Sequence, residues 1–146
     1  LFGLIHGNWW PLILGLPVLL WISLYGLAKR FTQLCHLWLG SSLALSPVAA
    51  ALAVEPSALE GPSIWLLAIM VLFWVAGFDV IYALQDVEVD RRDRLHSMPG
   101  TLGVAKAMLV ARFKHLVAVA ALVGAALTSP VLGPLMLALL SYECTT

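Results

Sequence analysis

Residues 64–84 read IWLLAIMVLFWVAGFDVIYAL, and residues 85–93 continue QDVEVDRRD. The first segment has the length of a membrane crossing, because a hydrocarbon core of about 30 Å takes about 20 mostly apolar residues as a helix. It already contains one acid, Asp79, and Asp86, Glu88, Asp90 and Asp93 follow it closely, so most of the chain's eight acidic residues gather in this stretch. A helix advances about 100° per residue, so an unbroken one would point Asp86, Asp90 and Asp93 within about 40° of Asp79. The spacing therefore predicts one continuous helix with four carboxylates on one face, at the end of an apolar span.

The rest of the chain has the same apolar character. Of its 146 residues 62% are hydrophobic and only 11% charged, with a mean hydropathy of +0.97. A soluble domain carries about 25% charged residues, so this is an integral membrane protein whose main surroundings are a lipid bilayer. Eight basic and eight acidic residues cancel, which excludes a nucleic-acid binder. Cys35 and Cys144 match no metal spacing or disulfide framework. Further spans are expected near residues 10–27, 34–54 and 104–128, with a short fifth begun over 131–140. The expected fold is all-α, a multi-span transmembrane helix bundle of about four full spans and one truncated, forming a single incomplete domain over residues 1–146. The chain starts on Leu inside apolar sequence and reads as a fragment.

Basic residues orient it. Lys29 and Arg30 fill the loop at 28–33, the loop from Glu55 to Gly61 has none, and the region 85–115 holds Arg91, Arg92, Arg94, Lys106, Arg112 and Lys114. Positive charge marks the cytoplasmic side, so the loops 28–33 and 85–103 face inward together with the acids. Trp9, Trp10 and Trp65 fall near outer span ends, as interfacial aromatics do.

An ionised acid inside a membrane helix is costly and usually lines a polar cavity. For Asp79 alone the alternative is an interfacial carboxylate solvated by headgroups. Clustered acids repel one another unless a cation joins them. Asp86 and Asp90, one turn apart, suit Mg²⁺, a hard ion that leaves positions open for phosphate oxygens. Lys29, Arg30, Arg91 and Arg92 on the same side would pair with a diphosphate directly. For Arg94, Lys106, Arg112 and Lys114 the expectation is contact with anionic lipid. His96 and His36 are either proton acceptors or ordinary hydrogen-bonding side chains, and Thr101 is the expected cap of the last full span. A cation transporter lined by Asp79, Asp86 and Asp90 is the competing class. Ser41, Ser42 and Ser46 offer it few polar groups across the bilayer.

The pattern Asp79-x-x-Tyr82-Ala-x-x-Asp86-x-x-x-Asp90-Arg-Arg, followed by Leu95-His-Ser97, resembles the second aspartate-rich motif of the UbiA superfamily of membrane prenyltransferases. Tyr25-x-x-x-Lys29-Arg30-Phe31-Thr32 resembles the family's YxxxK region, in the right order and two spans earlier. The likeness is nearest to 4-hydroxybenzoate polyprenyltransferases and the UbiA-like relatives of menaquinone synthesis. It implies a Mg²⁺-dependent transfer of an isoprenyl group from a polyprenyl diphosphate to a hydroxylated aromatic acid, in ubiquinone or menaquinone synthesis. Naphthoate, homogentisate, haem and chlorophyll precursors are the other acceptors it allows. By position it makes Asp86 and Asp90 metal ligands, Lys29, Arg30, Tyr25, Arg91 and Arg92 diphosphate contacts, and Asp79, Tyr82 and Lys29 the catalytic set. It also implies a bacterial inner membrane location with the active site at the cytoplasmic face. The family's first motif, of the form NDxxDxxxD, has no counterpart before Leu24, so the chain corresponds to roughly the fourth to eighth of about nine spans.

Overall fold

The structure is a computed structural model that describes residues 7–129, 133 and 134. It is all-helical, with no strand among the described residues. Helix α1 covers Trp10–Ala28, α2 Cys35–Val54, α3 Pro62–Tyr82, α4 Val87–Arg92, α5 Met98–Leu102 and α6 Val104–Thr128, with a 3₁₀ turn at Pro56–Glu60. Four of them, α1, α2, α3 and α6, are long and apolar enough to cross a membrane. The short span expected over 131–140 lies, apart from Gly133 and Pro134, outside the described residues.

Proline and glycine punctuate the helices. Pro11, Pro62 and Pro99 sit in first turns, where a missing N–H loses no helical bond. Pro17 and Pro47 lie inside α1 and α2. Gly103, at φ +82°, separates α5 from α6 in a backbone conformation that side chains rarely adopt. The cap expected at Thr101 falls elsewhere: Ser97 caps α5 by accepting from the Gly100 N–H, and Gly103 takes the cap position of α6. Thr101 is inside α5 and donates to the Ser97 carbonyl at 2.8 Å.

The long helices pack in sequence, with α3 at the centre between α2 and α6 and α1 laid against α2. In lipid there is no hydrophobic drive between helices, so close van der Waals contact between small residues holds them. A side chain at Gly40 would run into the Leu72 carbonyl of α3. On α6, Ala107, Ala111, Lys114, Ala118, Ala121 and Ala125 form one buried stripe at alternating spacings of four and three. Near the loops Val80, Met98, Ala107 and Ala111 make a compact core. Only Ala28 of α1 is buried, and a stack of Trp21 on Trp38, with centroids 4.6 Å apart, joins it to α2. The two indole N–H groups add to the join: Trp21 donates to Ser41 Oγ at 3.0 Å and Trp38 to the Trp21 carbonyl at 3.1 Å.

The continuous acidic helix predicted from spacing does not form. α3 stops at Tyr82, and Leu84, Gln85 and Asp86 donate to the carbonyls three residues before them, Ile81, Tyr82 and Ala83. Such a turn advances about 120° per residue instead of about 100°, which over four residues turns the phase by roughly 80°. The α pattern resumes where Asp90 N–H donates to the Asp86 carbonyl at 2.7 Å. It ends with Arg94 at φ +54° and Leu95 N–H bonded to the Asp90 carbonyl at 2.8 Å, the hydrogen bond of a Schellman stop. The four carboxylates consequently occupy different environments: Asp90 is buried, Asp79 is half-buried, and Asp86 and Asp93 are exposed.

Candidate active site

All six helices send residues to the end of the bundle that carries the 29–34 and 83–97 connections. Asp79, one turn before the end of α3, accepts a 2.7 Å hydrogen bond from Nδ1 of His36 in the first turn of α2. The other ring nitrogen of His36, Nε2, accepts from the Met98 N–H at 3.3 Å. An accepting Nε2 carries no proton, so the network assigns the neutral imidazole with its hydrogen on Nδ1. His36 is completely buried, and the Asp79–His36–Met98 chain ties α3, α2 and α5 together across separations of 43 and 62 residues.

A second cluster lies at the rim. Lys29 Nζ stands 3.8 Å from Asp90 Oδ1, with the lysine side chain 28% exposed and the aspartate 3%. The Lys29 carbonyl accepts from His96 N–H at 2.7 Å, and Cys35 Sγ lies 3.6 Å from the His96 carbonyl. The strand of chain after α4 is thus folded over the end of α1. The second oxygen of Asp90, Oδ2, is buried and has no hydrogen-bond partner. A buried carboxylate oxygen without a donor or cation is costly, and such an atom points to a group that arrives later. Mg²⁺ suits this position, since it commonly takes one or two carboxylates and completes its shell with water and substrate phosphates. Asp86, whose carbonyl accepts from the Asp90 N–H, lies in the turn just before α4 with its side chain exposed. No group of three or more His, Cys, Asp or Glu side chains is gathered for a metal among the described residues.

The Asp79–His36 pair and the Lys29–Asp90 pair are linked through the 96–98 segment, where the His96 N–H donates to the Lys29 carbonyl and the Met98 N–H to His36. Of the residues singled out by sequence, the structure pairs Lys29 with Asp90 and Asp79 with His36, and places half-buried Tyr25 in the last turn of α1. It leaves Arg30, Tyr82, Asp86 and Arg92 exposed, with Tyr82 at 63% and Arg92 bonded to Asp93 at 3.0 Å. The side chain of Arg91 lies outside the description.

Compared with known protein families, residues 1–144 match the UbiA prenyltransferase family. The chain belongs to the UbiA prenyltransferase family. Comparison with curated proteins and with solved structures returned no match. Membership in UbiA implies membrane prenyltransferase chemistry, with a polyprenyl diphosphate as donor and an aromatic acceptor.

Two residues of this UbiA protein carry more than their sequence context promised. His36, which the sequence leaves open between a proton acceptor and a hydrogen-bonding side chain, is a fully buried partner of Asp79. Lys114 is the larger correction: it was expected among lipid headgroups, yet it is 4% exposed and directed between α3 and α5, with Nζ 3.4 Å from the Ala76 carbonyl and 3.9 Å from Met98 Sδ. Its position in the alanine stripe of α6 was the available signal, because a lysine in the buried register of a helix cannot reach the headgroups.

Proposed function

We propose that this protein transfers an isoprenyl group from a polyprenyl diphosphate to a hydroxylated aromatic acid, 4-hydroxybenzoate, in ubiquinone or menaquinone synthesis. The observation that carries this reading is the unpartnered, buried Asp90 Oδ2 beside the Lys29 ammonium. A lysine–carboxylate pair that leaves one carboxylate oxygen without a partner, at one mouth, suits a metal diphosphate: the metal would take the free oxygen and the phosphate the ammonium. Asp90 and Asp86 would hold Mg²⁺, which when bound neutralises charge on the departing diphosphate. Lys29 orients the same head, with Arg30, Arg91 and Arg92 as outer contacts. Asp79, fixed by His36, and Tyr25 shape the interior beneath it, where the acceptor ring would lie. Tyr82 is left to a role at the mouth. By the distribution of basic residues this mouth faces the cytoplasm, and the resemblance adds a bacterial inner membrane as its location.

The test is transfer of a radiolabelled prenyl group to 4-hydroxybenzoate in membranes carrying the full-length protein. Asp90→Ala should lower the rate by at least about a hundredfold, as loss of a group that stabilises developing charge commonly does. Full activity of Asp90→Ala, or transfer unaffected by chelating Mg²⁺, would overturn the metal assignment. A panel including naphthoate and homogentisate acceptors decides the ring: faster transfer to either than to 4-hydroxybenzoate would replace it.

A further inference from the structure

Lys114 is a buried cation that the diphosphate reading does not use. It lies ten residues into α6, about 15 Å along that helix from Val104, opposite a carbonyl of α3 six residues, about 9 Å, before Tyr82. It is therefore well inside the bundle, below the mouth where Lys29 meets Asp90. An ammonium has three donors. The Ala76 carbonyl at 3.4 Å lies within the helical ladder of α3, and the Met98 thioether at 3.9 Å is a weak acceptor. Among the described residues Lys114 makes no ion pair. The acid of α3, Asp79, is bonded to His36. A charge so buried and so thinly satisfied is a poor structural choice, since an apolar residue in the alanine stripe would pack there without desolvation cost.

We propose that Lys114 is a binding residue for the carboxylate of the aromatic acceptor. The inference rests on the prenyl-transfer reading above, which already names an aromatic acid, and adds to it the residue that holds the acid's carboxylate inward of the mouth. Two cations at two depths then divide two anions. Lys29 at the mouth takes the diphosphate, and Lys114 in the interior takes the ring's carboxylate through a charge-assisted hydrogen bond. This arrangement turns the hydroxyl-bearing edge of the ring toward the donor. The named neighbours of Lys114, the Ala76 carbonyl and the Met98 thioether, carry no charge, and the His36–Asp79 pair is bonded to itself.

Equilibrium binding tests this without turnover. The purified full-length protein is titrated with 4-hydroxybenzoate and with 4-hydroxybenzamide, its uncharged isostere. Wild type should bind the acid at least about tenfold more tightly, the usual effect of a hydrogen bond to a charged group. Lys114→Met should lose that preference, Lys114→Arg should keep part of it, and the affinity of both variants for Mg²⁺-pyrophosphate should stay within about twofold of wild type. Equal binding of acid and amide by wild type overturns the proposal whether or not Lys114→Met folds. So does a preference that survives in a folded Lys114→Met, or a loss of pyrophosphate affinity equal to the loss for the acid. Failure of the prenyl-transfer reading has a separate signature: absence of Mg²⁺-dependent pyrophosphate release while the acid-over-amide preference persists.

Discussion

His36 has both ring nitrogens committed, and each bond reaches a different helix. His36→Ala leaves the buried Met98 N–H without an acceptor and frees the Asp79 carboxylate. The expected cost is about 2–4 kcal/mol, one unsatisfied buried donor plus one lost bond to a charged group. Denaturant unfolding in detergent, followed by circular dichroism, measures it. His36→Gln can still present an oxygen near the Nε2 position and should lose about half as much. Equal stability of wild type and His36→Ala would remove the network from the account of the fold. At this scale the sequence was informative about residue type and silent about pairing. Asp79 is conspicuous as an acid in an apolar run, yet nothing within several residues of it announces a histidine 43 positions away.

Close approach between helices sets the energetics one level up. A methyl group at Gly77 would come within 2.7 Å of the His115 ring, which stands edge-on between Trp74 and Phe78 and bonds the Ala111 carbonyl at 2.9 Å. Gly77→Ala should therefore cost about 1–3 kcal/mol through overpacking, and His115→Ala in the same chain should recover part of it. Additive losses in the double variant, read by thermal unfolding, would contradict this contact. Gly40→Ala should be worse, because its obstacle is the backbone carbonyl of Leu72, which cannot rotate away. Gly124→Ala meets only the Leu66 side chain at 3.4 Å and should be nearly neutral. Gly40, Gly77 and Gly124 are plain in the sequence, but which of them meets backbone and which a side chain depends on the crossing of α2, α3 and α6. The break after Tyr82 belongs to this scale as well. No proline or glycine marks residues 83–86, so helical periodicity ran straight through them, whereas the three-residue hydrogen bonds there re-aim Asp90 toward Lys29.

For the molecule as a whole, the prediction concerns sidedness. With Cys35 and Cys144 replaced by serine, a cysteine at exposed Gln33 should react with a membrane-impermeant maleimide only from the cytoplasmic side. One at exposed Ser57 should react only from the opposite side. Labelling of both from one face would overturn the four-span topology, and the reverse pattern would invert the orientation. That a chain this apolar forms several membrane-length helices was determined by the sequence alone, because hydrocarbon requires every backbone N–H and C=O to be satisfied within the segment and helices do so locally. The acids and the Tyr25–Lys29 spacing likewise marked the chemistry, since charge in an apolar run is conspicuous without any fold. The tertiary structure alone decided which charges meet. Ionic and hydrogen-bonded contacts act over a few ångströms, so the pairing of Asp90 with Lys29, of Asp79 with His36, and the burial of Lys114 arise only when all six helices converge at one end.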